Sequence, residues 1–370
     1  NRLYCFINKR IKFIMAYTTI NKSGDYFNTV LHTGDGASPK SITGFGFQPD
    51  LVWTKTRSNT NNHTLFDSVR GAGASKELSS NSSTAEGGVD TTNYGYLSSF
   101  DSDGFTATSG SSGTNYFNES GATYVNWNWK ANGTGVSNTS GSINSTVSAN
   151  TASGFSIVKW TGNGSTATIG HGLGVAPSVI LVKNYSASMN WISYWKALGA
   201  NKYLEFNLAN AAGTGTTEWN NTSPTSSVFS VGNTGSGNQS GGSLIAYCFA
   251  DVQGYSKVSG SYVGNGNSSS GTFVYTGFKP AFVLFKSSTV AGSQWYIYDN
   301  KRNESNITNN KLYPNLTNAE SSGDNQIDIL SNGFKMRSGN GDSNNSGSTY
   351  IYMAFGQSIV GSNNVPCTAR

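Results

Sequence analysis

The chain repeats one pattern of residues three times. A segment that begins with proline and ends with lysine six positions later occurs at residues 49–55, 177–183 and 280–286. A longer segment that begins Asn-x-Ser-Gly and continues into alternating side chains aligns without gaps at residues 118–129, 238–249 and 344–355. Each copy is therefore the size of a domain, and a pattern repeated at this period predicts three units with the same fold.

The residues within each copy indicate strands. A Gly-Asp-Gly or Gly-Asn-Gly turn opens each copy, at residues 34–36, 162–164 and 264–266, and an aromatic segment follows the proline segment, at 63–67, 191–195 and 295–299. Clusters of Gly, Asn and Ser separate such segments at the spacing typical of antiparallel sandwiches and barrels. Charged residues make up only 12% of the chain, about half the usual share. We predict an all-β chain of three tandem antiparallel β-sandwich repeats, of jelly-roll or lectin-like type.

The repeats give the expected domain boundaries. The β-sandwich repeats occupy residues 16–130, 154–256 and 257–360, preceded by a leader at 1–15 and followed by a tail at 361–370. The leader is upstream translation or disordered. Residues 131–153 are nearly all Gly, Ser, Thr, Asn, Ala and Val, a composition that suits a flexible linker or an added edge strand.

The closing strands predict how each unit is covered. In copy one the apolar residues 125, 127 and 129 alternate with Tyr124, Asn126 and Asn128, a pattern that predicts one face in water. In copy two both faces are apolar, which predicts that this strand is covered twice, by its own core and by a neighbouring unit or chain.

Charge and ligand residues limit the partners. The net charge is +5, and the first fourteen residues hold four Lys or Arg and no acid, so the remainder carries about +1. Nucleic-acid binding needs clustered positive charge, and no segment approaches the ~20 apolar residues of a membrane span. We therefore expect neither nucleic acid nor membrane as a partner.

The three cysteines and three histidines lack metal-ligand spacing, so we expect no metal and no cofactor.

Candidate catalytic residues gather in copy one. His63 stands four residues before Asp67, which suggests a Ser-His-Asp arrangement, but its aligned residues are Trp191 and Trp295 and no Gly-x-Ser-x-Gly turn is present. An aromatic strand position is the better interpretation of His63.

A pair of carboxylates could serve glycoside cleavage, and the candidates are Asp67, Asp101, Asp103, Asp299 and Asp328. Asp67 and Arg70 recur as Asp299 and Arg302 with the same offset, so an ion pair that closes a turn is favoured over catalysis.

Lysines and tryptophans complete the candidate residues. Lys55, Lys183 and Lys286 end the proline segments, and we expect each ammonium to reach water while its stem lies on apolar surface. The predicted ligand-binding residues are Trp160, Trp191, Trp195, Trp219, His63, Asp67 and Arg70. Flat rings flanked by Asn and Ser suit sugar recognition; ordinary packing in a core is the alternative for each tryptophan.

Several segments of the sequence resemble a known protein family. Residues 46–57, 63–71, 172–183 and 246–257 are similar to tailed-phage virion proteins of the marine phage type, described as tail-fibre or lectin-like and sharing a domain of unknown function. The resemblance extends from Met15 to Gln357. It implies a β-sandwich virion component without established catalytic residues, and His63, Asp67 and Arg70 match one of its phrases.

Together these observations favour a phage virion structural protein, at the particle surface or tail, which binds host glycan. The expected partners are other virion proteins and host surface polysaccharide. A glycan depolymerase and a ligand-free architectural or decoration subunit are the alternatives, and the leading hypothesis is not an enzyme. Fibres are commonly homotrimers, but three internal copies also allow a pseudo-symmetric single chain.

Overall fold

The structure is a computed structural model that describes residues 18–88, 90–112 and 116–358. The predicted leader at 1–15 and tail at 361–370 lie outside the described residues. Strands make up 39% of the chain and helices 3%, and every ladder between strands is antiparallel, so the predicted all-β antiparallel fold is confirmed. The helical elements are a 3-10 turn at Ser23–Asp25, α1 (Thr91–Tyr94) and α2 (Gly235–Asn238). Within the described ranges, no helix has the length and hydropathy to span a membrane.

Unit 1, residues 18–130, consists of two sheets. Its strands are β1 (Phe27–Thr33), β2 (Lys40–Thr43), β3 (Leu51–Thr56), β4 (Thr64–Asp67), β5 (Tyr96–Asp101), β6 (Gly104–Thr108) and β7 (Thr123–Trp129). One sheet, which we call the inner sheet, has the order β1-β7-β3-β4, and the other, the outer sheet, has the order β2-β6-β5. The proline segment forms β3 and the closing segment forms β7, side by side in the inner sheet.

Unit 2, residues 131–255, repeats this arrangement with additions. Its strands are β8 (Val136–Asn138), β9 (Ser145–Asn150), β10 (Phe155–Thr161), β11 (Ala167–Gly170), β12 (Val179–Asn184), β13 (Ile192–Trp195), β14 (Lys202–Glu205), β15 (Gly213–Thr214), β16 (Val228–Val231) and β17 (Ser243–Phe249). The inner sheet has the order β15-β14-β13-β12-β17-β10-β9-β8, and β11 pairs with β16 in the outer sheet. Residues 131–153 thus contribute β8 and β9 to one side of this sheet, with β8 at the edge, which agrees with the expectation of an added edge strand and not with that of a flexible linker.

Unit 3, residues 256–358, returns to the simple pattern. Its strands are β18 (Ser256–Val263), β19 (Phe273–Tyr275), β20 (Pro280–Ser287), β21 (Trp295–Asp299), β22 (Ile327–Leu330), β23 (Gly333–Met336) and β24 (Thr349–Gly356). The inner sheet has the order β18-β24-β20-β21 and the outer sheet the order β19-β23-β22. The same inner order in all three units shows that the sequence repeat is a structural repeat.

Two kinds of core divide the side chains of each inner sheet. Successive side chains of a strand point to opposite faces, and on β3 Val52 joins the sandwich core of unit 1 while Leu51 and Trp53 join a core shared by all three units. On β12, Ile180 packs inside its own sandwich and Leu181 in the shared core. We call this shared cluster the central core. It explains why the proline segments are apolar at nearly every position.

Trp129 lies in the middle of the central core. Its ring is close to aromatic rings of all three units, and the centroid distances are 4.9 Å to Phe27, 6.5 Å to Phe155, 6.0 Å to Phe249, 5.9 Å to Phe282 and 5.6 Å to Phe355. The three sandwiches therefore pack against one another through the faces of their inner sheets.

Equivalent hydrogen bonds close the three units into a ring. In each, a backbone N–H of one unit donates to the carbonyl that lies two residues after the proline-segment lysine of the next unit. The bonds run from Glu86 to Tyr185 (2.8 Å), from Ala212 to Ser288 (2.9 Å) and from Glu320 to Arg57 (2.7 Å). Contacts that run from unit 1 to 2, from 2 to 3 and from 3 to 1 give one chain a pseudo-threefold arrangement.

The prediction for the closing strand of copy one is wrong, because its polar face lies inside the sandwich of unit 1. Asn126 and Asn128 are buried rather than in water. The amide of Asn126 accepts a hydrogen bond from Thr54 Oγ1 over 2.8 Å and donates to the Val30 carbonyl over 3.1 Å. Polar side chains can be buried where hydrogen bonds replace water, so β7 is covered on both faces, as β17 is.

Candidate functional site

The tryptophans predicted to bind sugar are buried. Trp160, Trp191, Trp195 and Trp219 are each no more than 3% exposed. Trp160 and Trp219 lie in the sandwich core of unit 2, and Trp191 and Trp195 lie in the central core. The prediction that these residues form an exposed sugar-binding surface is wrong, because both faces of the inner sheet are covered and leave no side for solvent.

His63 and its aligned residues, Trp191 and Trp295, make equivalent hydrogen bonds between units. In each case a ring nitrogen bonds a backbone carbonyl of the neighbouring unit. The contacts join Trp191 Nε1 to Ser79 (2.9 Å), Trp295 Nε1 to Leu208 (3.0 Å) and His63 Nε2 to Tyr313 (2.9 Å). The alignment of His63 with the two tryptophans thus has a physical basis, since each ring ties one unit to the next.

The hydrogen bonds of His63 fix its tautomer. The indole Nε1 of Trp53 lies 2.9 Å from His63 Nδ1, and an indole nitrogen can only donate. Nδ1 therefore accepts, and Nε2 carries the hydrogen that is donated to Tyr313. Burial lowers the pKa of His63 well below its ordinary value, and the charge of Lys55 adds to this effect. The lone pair on Nδ1 already accepts from Trp53, Nε2 faces a carbonyl, and the ring is fully buried, so His63 is not placed to take a proton from a serine hydroxyl.

We expect His63 to make the protein sensitive to mild acid. In the unfolded chain His63 takes up a proton below its ordinary pKa of 6.5, whereas the folded protein keeps the ring neutral. Its stabilising contribution is therefore complete above pH 6.5 and falls with pH below that value, by up to about 1.4 kcal/mol per pH unit. Urea unfolding at pH 7.5, 6.5 and 5.5 measures the slope.

The matched variant is His63→Gln, whose amide can still donate to Tyr313 and accept from Trp53 but does not titrate. We expect a shallower slope for this variant between pH 6.5 and 5.5. Equal slopes for the variant and the wild type would contradict the assignment of acid sensitivity to His63.

The predicted ion pairs exist, and they are buried at the junctions between units. Asp67 Oδ2 lies 2.5 Å from Arg70 Nε and accepts a hydrogen bond over 2.8 Å from the hydroxyl of Tyr247 in unit 2. The carboxylate also accepts from the backbone N–H of Arg70 over 2.9 Å, which closes the turn. The prediction of an ion pair between Asp67 and Arg70 at a turn is correct. The pair is buried at the junction of units 1 and 2.

The same arrangement recurs between units 3 and 1. Asp299 Oδ2 lies 2.6 Å from Arg302 Nε and accepts from Trp127 Nε1 over 3.0 Å. Trp127 and Tyr247 occupy equivalent positions of the closing strands. In unit 2 the position of Asp67 is taken by Trp195, whose ring lies 5.7 Å from that of Trp295. Two junctions are therefore sealed by ion pairs, and the third by aromatic packing.

Burial removes the leading acids from reach of a polysaccharide. Asp67 and Asp299 are fully buried, so neither can protonate a glycosidic oxygen. Asp103 caps a loop through the N–H groups of Gly44 and Gly46, and Asp328 pairs with Arg337 over 3.1 Å. The described residues contain no cluster of three His, Cys, Asp or Glu side chains that could hold a metal ion.

The three lysines of the proline segments do not reach water. Lys55, Lys183 and Lys286 are fully buried, and each ammonium donates to backbone carbonyls, as Lys183 does to Ser83 over 2.7 Å and to Met189 over 2.6 Å. Burial lowers the pKa of Lys55 to about 7 and those of Lys183 and Lys286 to about 8. The expectation that they extend to solvent is wrong, because the neighbouring unit covers the strand end.

The Gly-Asx-Gly turns belong to the fold as well. In copy two, Asn238 Nδ2 donates to Asn163 Oδ1 over 2.8 Å, and the backbone N–H of Gly164 donates to the Asn238 carbonyl over 2.8 Å. Asn118 and Asn344 hold the other two turns in the same way. A Cβ at Gly162 would lie 2.2 Å from the Gln239 carbonyl oxygen, so this close approach requires glycine.

An exposed aromatic pair distinguishes unit 3. Phe273 and Tyr275 lie on one face of β19 in the outer sheet and are 45% and 62% exposed. Val263, 57% exposed, lies at the neighbouring strand end, where its carbonyl accepts from Thr272 Oγ1 over 3.0 Å. We call these three residues the aromatic patch.

The strand register places charged side chains beside the patch. Phe273 lies opposite Lys335 on β23, and Lys335 lies opposite Asp328 on β22, so the three side chains share the outward face. Tyr275 lies opposite Gly333, whose missing side chain leaves room for the ring of Phe273.

The other units lack this patch. Val274, Ile42 and Ile169 pair with equivalent phenylalanines, which aligns β19 with β2 and β11. The residues aligned with Phe273 and Tyr275 are Ser41 and Thr43 in unit 1 and Thr168 and Gly170 in unit 2. The fold does not require aromatic residues at these positions. A comparison of the three copies at the Phe-Val-Tyr segment would have revealed the patch from the sequence.

Comparison with known proteins gives one family. Neither the curated proteins nor the solved structures yield a match to the chain. Residues 22–358 match the model of a family described as a domain of unknown function, DUF7483. This match includes nearly all of the described residues and parts of all three units, and the chain therefore belongs to the DUF7483 family.

Proposed function

We propose that the protein is a structural component of a phage virion and that its third unit binds host-surface polysaccharide through the aromatic patch. The observation that carries the proposal is the exposure of Phe273 and Tyr275 where the other two units have small residues. The resemblance of the sequence to tailed-phage virion proteins supports the virion as the location.

The patch suits sugar rings in shape and chemistry. Side chains two residues apart on a strand are separated by about 7 Å, so the two exposed rings are neighbours along the edge of the sheet. Apolar faces of pyranose rings pack on aromatic rings, while nearby polar groups bond the hydroxyls. Lys335, opposite Phe273, supplies a donor beside the rings, and the carboxylate of Asp328, which pairs with Arg337, lies one strand farther on the same face. The site binds its ligand and has no catalytic task in this proposal.

A glycan array of host-derived polysaccharides tests the proposal, followed by affinity measurements on Phe273→Ala and Tyr275→Ala. We expect each substitution to weaken binding about tenfold, which corresponds to about 1.4 kcal/mol, because each removes one stacking ring. Thermal stability should change little, since both side chains are exposed.

Val136→Ala is the control for general surface hydrophobicity, because Val136 is 69% exposed in unit 2. Its affinity should equal that of the wild type. Full binding by a Phe273→Ala/Tyr275→Ala double variant would place the ligand elsewhere. The absence of binding to every host polysaccharide would instead favour a ligand-free architectural subunit.

A further inference from the structure

The free edge of β1 differs from the equivalent edges of units 2 and 3. β1, β10 and β18 are the same strand in the three inner sheets, since each pairs with the closing strand of its unit. An uncovered strand edge presents N–H and C=O groups to which another strand can add. The three units treat this edge in three different ways.

In unit 2 the edge is covered by the chain itself. β9 pairs with β10 along its length, with Ile157 opposite Ser148 and Lys159 opposite Thr146. On the β17 side of β10, the N–H of Ala250 donates to the carbonyl of Gly154. Successive residues of an antiparallel strand direct their backbone groups to opposite sides, so Ile157 and Lys159 direct theirs toward β9.

In unit 3 the edge is blocked. The N–H of Ser256 donates to the Val252 carbonyl over 2.8 Å, and the N–H of Val258 donates to Asp251 Oδ1 over 2.6 Å. A register shift follows between Lys257 and Gly260. Capping and bulging are devices by which proteins prevent strand addition.

In unit 1 no described strand covers the edge, although Phe27 and Thr29 are themselves buried and Leu31 is exposed. The N–H of Lys130 donates to the Tyr26 carbonyl, so by the same alternation Phe27, Thr29 and Leu31 direct their backbone groups away from β7. No strand pairs with this side of β1 in the described part of the chain. Thr29 Oγ1 is also buried without a hydrogen-bond partner.

A groove of about 830 Å³ runs beside this edge, between units 1 and 3. Phe27 and Thr29 line one wall, and Asn300, Lys301 and Asn303 line the other. By the repeat, residues 300–303 correspond to residues 68–71 of unit 1. Residues 68–71 lie at the junction of units 1 and 2. There Ser68 Oγ donates to the carbonyl of Gly133, in the segment 131–153, over 2.7 Å. Lys159 Nζ, on β10, donates to the carbonyl of Val69 over 3.5 Å. The groove therefore occupies the place that residues 131–150 fill at the other junction.

We infer that the β1 edge binds an extended segment of a partner polypeptide, which adds to the inner sheet of unit 1 as β9 adds to that of unit 2. The partner strand has the chemistry of β9, small hydroxyl and amide side chains alternating with β-branched ones. The charged residues that line the groove are Lys22, Lys279 and Lys301, which are positive, and Asp25 and Glu304, which are negative. These charges nearly cancel, so the groove does not favour a highly charged partner strand. Backbone hydrogen bonds supply the affinity in this mode of recognition.

Hydrogen exchange of the full-length protein with a synthetic peptide of residues 143–151 tests the inference. We expect millimolar peptide to slow exchange of the Thr29 and Leu31 amides, for which the described part of the chain supplies no strand partner. Slow exchange of these amides before peptide is added would show that the edge is already filled, and would overturn the inference.

Two methylated peptides provide the matched comparison. N-methylation at the Ser148 position removes a donor that faces β10 in unit 2, whereas N-methylation at the Val147 position removes one that faces β8. We expect about tenfold weaker binding of the first peptide and a change of less than about twofold for the second. Equal affinities, or no protection by the unmodified peptide, would contradict strand addition at β1.

A protein variant gives an independent result. Thr29→Pro removes an N–H that β7 does not use, and proline is tolerated on the outward side of edge strands. We expect this variant to lose peptide binding while it retains the binding of polysaccharide by unit 3. Retained peptide binding by a folded Thr29→Pro protein would count against the inference and would leave the proposed function of the aromatic patch unaffected.

Discussion

Replacing Trp129 by alanine is expected to lower the free energy of unfolding of the whole protein by about 3–5 kcal/mol. Trp129 is 1% exposed and its ring packs against aromatic residues of all three units. Removing it leaves a cavity at the point where the inner sheets meet, which the surrounding strands can fill only in part. Equilibrium unfolding in urea, followed by fluorescence and circular dichroism, measures the change.

Trp219→Ala is the matched control. Trp219 is equally buried, but it lies in the sandwich core of unit 2, where its ring packs 5.8 Å from that of Tyr194. We expect a loss of similar size. Hydrogen exchange distinguishes the two variants: Trp129→Ala should increase exchange in the inner sheets of all three units, and Trp219→Ala mainly in unit 2. If Trp129→Ala affects unit 1 alone, the units are independent and the central core does not unite them.

The sequence predicted the repeated unit but not what covers each face of its strands. The proline and closing segments recur in the same order at similar spacing, and this predicted three β-sandwiches. The sequence predicts that the face of β7 with Asn126 and Asn128 is in water, because a polar side chain in a strand usually faces water. Its burial depends on partners that are distant in sequence, such as Thr54 for Asn126, and no local pattern gives these.

The candidate site was harder to predict for a related reason. Large rings near Asn and Ser suit sugars, but Trp191, directly before β13, and Trp195, at the end of β13, point into the central core that the three units share. Phe273 and Tyr275 have the same local appearance as buried strand residues. Their difference from Ser41 and Thr43 becomes informative once β19 and β2 are known to be equivalent strands.

The buried ion pairs give the second large effect, and we expect Arg302→Met to destabilise the protein by about 3–5 kcal/mol. Methionine retains the apolar stem of Arg302 but removes the guanidinium, which bonds Asp299, Glu320 over 3.1 Å and the Ile297 carbonyl over 2.9 Å. The carboxylate of Asp299 then remains buried without its cation. Urea unfolding at neutral pH measures the loss.

Lys257→Met is the control, because the exposed pair of Lys257 and Asp251 is separated by 3.6 Å and a surface pair contributes only about 0–1 kcal/mol. The double variant Asp299→Leu/Arg302→Met removes both charges and imitates unit 2, where apolar residues seal the junction. Since the cost of a broken buried pair comes largely from the charge left behind, the double variant should be more stable than Arg302→Met. If it is less stable, the hydrogen bond from Trp127 to Asp299 contributes more to the junction of units 1 and 3 than the ion pair does.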